Sequence, residues 1–284
     1  MSALPSPIVH DTIAGISYWR RAGHGRRLVC LHGIGSNAGS FLPLLAQLPE
    51  DWDVIAWNAP GYGASEPLAA DWPVESDYAE ALGRFLDALE LNQVTLLGHS
   101  LGTLMAAQFA ALHRERVTEM VLGACACGHG QAPGGKLSEA AAARLAELEE
   151  LGARAFAEKR GPRLLAEPNG NPEARERVID AMAAVKQPGY GQAVRMLASG
   201  QLVENLKKVR CPTHIVWGDG DIVTPRVQSE RASAALGDAP ITEISGSGHA
   251  LHVETPAEFS RVILSCLEDT NEGPCSDKKE ETVQ

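Results

Sequence analysis

The chain has 284 residues, 44% hydrophobic and 21% charged, a balance ordinary for a globular protein long enough to bury a large core. Its formal net charge of −11 argues against nucleic acid or an anionic membrane as partner, since a phosphate backbone calls for clustered Lys and Arg. No basic stretch followed by an apolar one stands at the start, so no secretory signal is read and a cytoplasmic location is expected.

In chain order, residues 8–21 alternate and break at Ala14-Gly15, which predicts an antiparallel hairpin of Ile8–Ile13 and Ile16–Arg21. Leu28-Val29-Cys30-Leu31 is a continuous apolar run, read as a strand covered on both faces, and it ends in His32-Gly33-Ile34-Gly35. Phe41, Leu44, Leu45 and Leu48 recur at helical spacing, with Asn37 or Ser40 as start signals and Pro49 as a stop. A strand over 52–57 closes in a loop from Asn58 to Ser65, and Tyr78, Leu82, Phe85 and Leu89 mark one face of the next helix.

The stretch 94–112 carries no charge and approaches the length of a membrane span, about 20 residues. Two glycines, a histidine, a serine and a glutamine interrupt it, and its β-rich first half gives way to an Ala-rich second half, so a buried core segment is expected instead. It reads as strand, Gly98-His99-Ser100-Leu101-Gly102 turn, and helix. At such a turn the serine is held in a strained conformation with its hydroxyl exposed, and side chains at 98 and 102 would collide with the neighbouring helix and strand. Ser100 is therefore a candidate nucleophile.

A further strand is expected over 117–124, and the β and α alternation from 27 to 124 implies a parallel sheet with right-handed crossovers. Residues 129–210 show no strand-like run. Leu137, Ala141, Leu145 and Leu148, then Val178, Ile179, Met182 and Val185, fall at helical spacing between proline and glycine breaks, too long a stretch for a plain crossover. They are expected to form an inserted helical cap on a core made of residues 1–128 and 211–270. Residues 213–217 and 241–244 supply the remaining strands, a helix is expected over 256–267, and 271–284 are read as a mobile tail.

The six cysteines, at 30, 125, 127, 211, 266 and 275, read as small buried hydrophobes and not as a disulfide framework. Cys125-Ala126-Cys127 lacks the spacing and the second pair of a common zinc site, and no metal is expected. A serine hydroxyl needs a base beside it, and the base an orienting acid. Open α/β sheets gather their functional groups just after strands, where Ser100, Asp221 and His249 qualify. Asp219 competes with Asp221 on the same turn. His252 is expected to be a packing or surface residue, and His32 and His99 to support loops through hydrogen bonds.

With His32-Gly33-Ile34-Gly35, the elbow at Ser100, Gly218-x-x-Asp221 with Pro225 beyond it, and Gly248-His249 in this order, the chain resembles the α/β-hydrolase fold over residues 8–268. The resemblance implies a mostly parallel sheet with helices on both faces. It also implies a Ser100 nucleophile, His249 as general base and acid, Asp221 orienting the imidazole, and an oxyanion hole from the N–H groups of Ile34 and Leu101. Its Gly-x-x-Asp spacing favours Asp221 over Asp219, and Asn58, where many relatives carry aspartate, touches no triad role. Serine at the elbow disfavours the dehalogenases and epoxide hydrolases, which use aspartate there. Ala250 after the histidine, in place of tryptophan, lowers a carbon–carbon hydrolase reading.

The expected function is cofactor-free hydrolysis of a small ester or lactone, in the carboxylesterase and enol-lactonase branch. Gly33, Ile34, Cys125, Val223 and Leu251 are expected to line the pocket from the core side, and the cap to set specificity. Cofactor-free oxygen chemistry and a ligand-receptor role are the alternatives.

Overall fold

The computed structural model describes residues 6–268. Eight strands form one sheet in the order β1-β2-β4-β3-β5-β6-β7-β8. They are β1 (Ile8–Ile13), β2 (Ile16–Arg21), β3 (Arg27–Leu31), β4 (Asp53–Trp57), β5 (Val94–His99), β6 (Val117–Gly123), β7 (Thr213–Gly218) and β8 (Ile241–Ile244). The first two pair antiparallel with each other, β2 pairs antiparallel with β4, and every other pairing is parallel. The α/β class and the mostly parallel sheet expected from the alternation are therefore present.

Both faces of the sheet's centre are covered, which is why Leu28–Leu31 of β3 and residues 54–57 of β4 read as continuous apolar runs, whereas the edge strand β1 is largely exposed. Val29, Leu31, Ile55, Trp57, Leu96, Met120 and Leu122 join one buried cluster. The alternate residues Leu28, Cys30, Val54, Ala56, Leu97 and Val121 join the other. The first face carries α2 (Glu75–Ala88), α3 (Leu101–Leu112) and α8 (Arg226–Ala235), and the second α1 (Leu42–Leu45) and α10 (Pro256–Glu268). Helix α3 is almost wholly buried, which explains its lack of charge. No helix among the described residues is long and apolar enough to cross a membrane.

The periodicity over 41–48 overstates its helix. A 3-10 turn spans Ala38–Phe41 and α1 is a single turn with Pro43 inside it, although Leu44, Leu45 and Leu48 are all buried. Burial alone makes the spacing look helical.

Between β6 and β7 run α4 (Glu139–Arg160), a 3-10 turn at Gly161–Leu164, α5 (Pro172–Ala183), α6 (Gly189–Ser199) and α7 (Leu202–Leu206). Ser138 caps α4 by accepting from Ala141 N–H, and Asn171 caps α5 by accepting from Ala174 N–H, with Pro172 first in that helix. Leu137 therefore precedes α4 and Val185 follows α5. Gly152, at φ 72°, kinks α4. Leu202 and Leu206 of α7 pack in the first core cluster, so the stretch 129–210 ends in a helix that lies against the sheet's own helical layer. A last short helix, α9 (Leu251–Glu254), follows the loop after β8. Of the sequence expectations, the tail at 271–284 and Cys275 lie outside the described residues.

Candidate active site

Strand β5 delivers Ser100 at the carboxyl edge of the sheet, beside β3, where the strand order reverses direction. Ser100 holds φ 52° and ψ −116°, a conformation that is costly for any residue with a Cβ. Its N–H donates to Gly123 O at 2.9 Å, while its C=O accepts from Thr103 N–H at 2.9 Å and Thr103 Oγ1 at 2.6 Å. A side chain at Gly102 would overlap the carbonyl of Leu31, and one at Gly98 would meet the backbone of Gly102 and Thr103. The two glycines let β5, β3 and α3 approach closely enough to lock the turn.

Loops after β7 and β8 bring Asp221 and His249 together. His249 Nδ1 lies 2.9 Å from Asp221 Oδ2, which leaves Nε2 as the ring nitrogen free to face other groups. The Asp221 carboxylate also accepts from Val223 N–H (2.7 Å), Thr224 N–H (2.9 Å) and Thr224 Oγ1 (2.7 Å). Burial alone would push its pKa up, but His249 and the Thr224 donors outweigh that and leave it lowered. Asp219 is exposed and accepts from Gly246 N–H at 2.7 Å, so it braces the loop before His249 and does not reach the imidazole. The sequence passed over Thr224, whose hydroxyl also lies 3.2 Å from His249 Nδ1. A threonine three residues after an aspartate in a turn is the signal that could have found it.

Three other histidines hold the surrounding backbone. His32 Nδ1 bonds Gly33 O at 2.8 Å and its Nε2 accepts from Ala59 N–H at 3.0 Å, so Nδ1 carries the proton. Burial lowers its pKa to about 4 and keeps it neutral. His99 Nε2 donates to His249 O at 2.7 Å, and burial lowers its pKa to about 3. His252 is buried, not on the surface: its Nε2 pairs with Ser40 Oγ at 3.0 Å and its ring packs against Phe41 and His99.

These bonds also orient two N–H groups. Gly33 O is held by His32 and by Ser36 N–H at 3.1 Å. The Gly33–Ile34 peptide is planar and trans, so its N–H points the opposite way. Tyr62 Oη donates to Ile34 O at 2.8 Å and fixes the next peptide. Leu101 opens α3, where an N–H has no partner within the helix. With Ser100 O held by Thr103, that N–H too is set, at the positive end of the helix dipole.

A cavity of about 250 Å³ is lined by Ser100 and His249 together with Gly33, Ile34, Ser36, His99, Thr224 and Gln228 from the core. Residues from the β6–β7 insertion close it: His129, Arg144, Leu164, Met182 and Leu197. Of the pocket residues expected from sequence, Gly33, Ile34 and Val223 line it. Cys125 does not, being fully buried in the first core cluster, and neither does Leu251, which packs in the second cluster across the sheet. Leu101, expected to supply an oxyanion-hole N–H, has a core side chain and is not among the residues that line the cavity. Some of Leu137, Leu145, Leu148, Val178, Met182 and Val185 are expected from their apolar spacing to face the pocket, and of these Met182 lines it. Arg144, Leu164, Leu197 and Gln228 were missed, since helical periodicity reports burial but not which buried face meets a cavity.

The insertion is tied to the histidine loop by Glu254, which accepts from Gly248 N–H (2.6 Å) and Ala166 N–H (2.9 Å), and by Ala250 N–H donating to Leu164 O at 2.8 Å. A side chain at Gly248 would overlap Leu165 and Ala166.

A family profile described as "Alpha/beta hydrolase family" matches residues 28–262. A putative carbamate hydrolase of Escherichia coli O157:H7 is 27% identical over 262 residues, covering 84% of this chain and 90% of its own. The (E)-2-((N-methylformamido)methylene)succinate hydrolase of Acinetobacter baylyi is 27% identical over 265 residues, covering 89% and 95%. Among solved structures, the enol-lactonase from Burkholderia xenovorans LB400 superposes with a TM-score of 0.79 at 19% identity, over 92% of this chain and all of that one, a likeness of fold.

Proposed function

From the premise that the chain belongs to the alpha/beta hydrolase family, we propose that it is a serine hydrolase of small carboxylic esters or lactones, working through an acyl-enzyme. The observation that carries this reading is the Asp221–His249 pair at 2.9 Å, beside a cavity that Ser100 and His249 line together. His249 Nε2 takes the Ser100 proton as the hydroxyl attacks the substrate carbonyl, and Asp221 holds the ring's tautomer and stabilises the imidazolium. The N–H groups of Ile34 and Leu101 receive the oxyanion; a single such donor is typically worth about 10²–10³ in rate. His249 then protonates the leaving alkoxide and activates water for deacylation, and no step calls for a cofactor.

The relatives' names support hydrolysis in general and leave the bond type to experiment. Esters, lactones and carbamates present the same carbonyl to the same nucleophile, and leaving-group protonation by His249 serves each. The residues of the insertion that line the cavity form a cap that sets acyl specificity. Hydrolysis of p-nitrophenyl acetate and butyrate, followed by a panel of lactones and carbamates, tests the reading. Turnover that survives Ser100→Ala within tenfold, or no turnover of any acyl substrate by folded protein, contradicts it.

A further inference from the structure

The cavity is lined by a cation that acyl transfer does not use. Arg144, on α4, donates from Nε to Tyr190 Oη, and its guanidinium lies 5.6 Å from the centroid of the Tyr190 ring. Tyr190 thus holds the head in place while the four N–H donors on the two Nη atoms remain available. Among the described residues no carboxylate pairs with Arg144. Glu147, one helical turn along, is taken by Lys159 and Arg160. The half-buried guanidinium, held by Tyr190 and without a carboxylate partner, can take an anion on its free donors.

A second chamber of about 230 Å³ adjoins the first and shares Arg144, Leu164, Met182 and Val223 with it, adding Arg160 and the exposed Arg163. No Asp or Glu side chain lines either chamber. In a chain of net charge −11, Arg144 and Arg163 bring positive charge here with no carboxylate paired to them among the described residues, while Arg160 is paired with Glu147, and a cleft lined by one sign concentrates ligands of the other. Leu164, Met182, Val223 and Arg144 border both chambers, so apolar side chains and a guanidinium share the cavity that holds Ser100 and His249. Each chamber holds about eight water volumes, room for a short chain.

Resting on the hydrolase reading above, we infer that the substrate is an ester or lactone of a short-chain acid carrying a second, ionised carboxylate, which Arg144 clamps and Arg163 draws in. The two Nη groups form a fork that matches the two oxygens of a carboxylate. Arg144 and Arg163 are thus specificity residues, distant in role from the Ser100 chemistry.

The test compares monoethyl glutarate with its terminal-amide analogue, equal in size and uncharged, by proton release at constant pH. Wild-type protein prefers the acid in kcat/KM by roughly tenfold or more, as expected for a charge-assisted bidentate contact, with the difference in KM. Arg144→Gln brings the ratio to about one, Arg144→Lys keeps part of the preference, Arg163→Gln lowers it less, and added salt erodes it. A wild-type ratio near one, or an Arg144→Gln variant in which both substrates fall by the same factor, overturns the inference. Calorimetric binding of the same pair to Ser100→Ala protein separates the two claims. Selective binding of the acid without turnover by wild type leaves the anion site standing and removes the hydrolase; binding of neither, or of both alike, removes the anion site whatever esters are cleaved.

Discussion

At the scale of single residues, the arrangement rests on who donates to whom. Ser100→Ala is expected to lower ester turnover by roughly 10⁴-fold or more, with the thermal midpoint nearly unchanged, because the hydroxyl carries chemistry and its loss opens no sizeable cavity. Asp221→Asn should cost about 10²–10⁴ in kcat, since an amide supports the wrong tautomer of His249. Asp219→Asn, changing a group bonded only to Gly246 N–H, should stay within about threefold. Equal losses for the two aspartate variants would move the orienting role off Asp221. The serine, the aspartate pair and the histidine were legible as residues because each follows a strand in a glycine-marked turn. Thr224 and Glu254 were not, because a hydroxyl and a carboxylate that serve other side chains and loops leave no spacing pattern of their own.

At the scale of elements, strand runs were the most readable feature and the insertion the least. A strand covered on both faces shows as a continuous apolar run, as Leu28–Leu31 in β3 does, while β6 shows it only over Met120–Leu122, after Thr118 and Glu119. The stretch 38–48 misled because a 3-10 turn and one helical turn bury the same side chains as a longer helix. In the insertion, apolar spacing marks buried faces, yet Leu145, Leu148 and Val178 pack among helices while Met182 meets the cavity. Met182→Ala should therefore shift the preferred acyl chain to longer members, by roughly 1–3 kcal/mol per methylene accommodated, whereas Leu148→Ala lowers stability without changing the ranking. Identical chain-length profiles in Met182→Ala and wild type would contradict a cap role for α5. At the elbow, Gly102→Ala should destabilise the fold by about 1–3 kcal/mol or more, because the added Cβ overlaps the Leu31 carbonyl, which belongs to a central strand and cannot retreat. A denaturation midpoint equal to wild type would contradict that close approach.

At the scale of the whole molecule, three histidines outside the proposed triad, His32, His99 and His252, sit buried and neutral with their pKa values lowered by burial. Unfolded, each titrates near about 6.5. Between that value and the folded one the unfolded chain binds more protons, so stability rises with pH there and is lost on acidification. Each contributes a slope of up to about 1.4 kcal/mol per pH unit, beginning below about pH 6.5 and continuing to about pH 4 for His32. Urea midpoints at stepped pH should show this fall, and a folded His252→Gln variant should show a shallower one; a flat profile from pH 7 to about 4 would contradict buried neutral imidazoles. The same burial places the loops around Ser100, whose role as acyl acceptor is the claim on which the proposed activity depends. Its most direct measurement is rapid quenching of the protein with p-nitrophenyl butyrate, followed by peptide mapping by mass spectrometry. A butyryl group on Ser100 is expected to form with the first release of p-nitrophenol and to be absent in Ser100→Ala. Steady turnover with no acyl adduct, or an adduct on another residue that turns over at the steady-state rate, would contradict it.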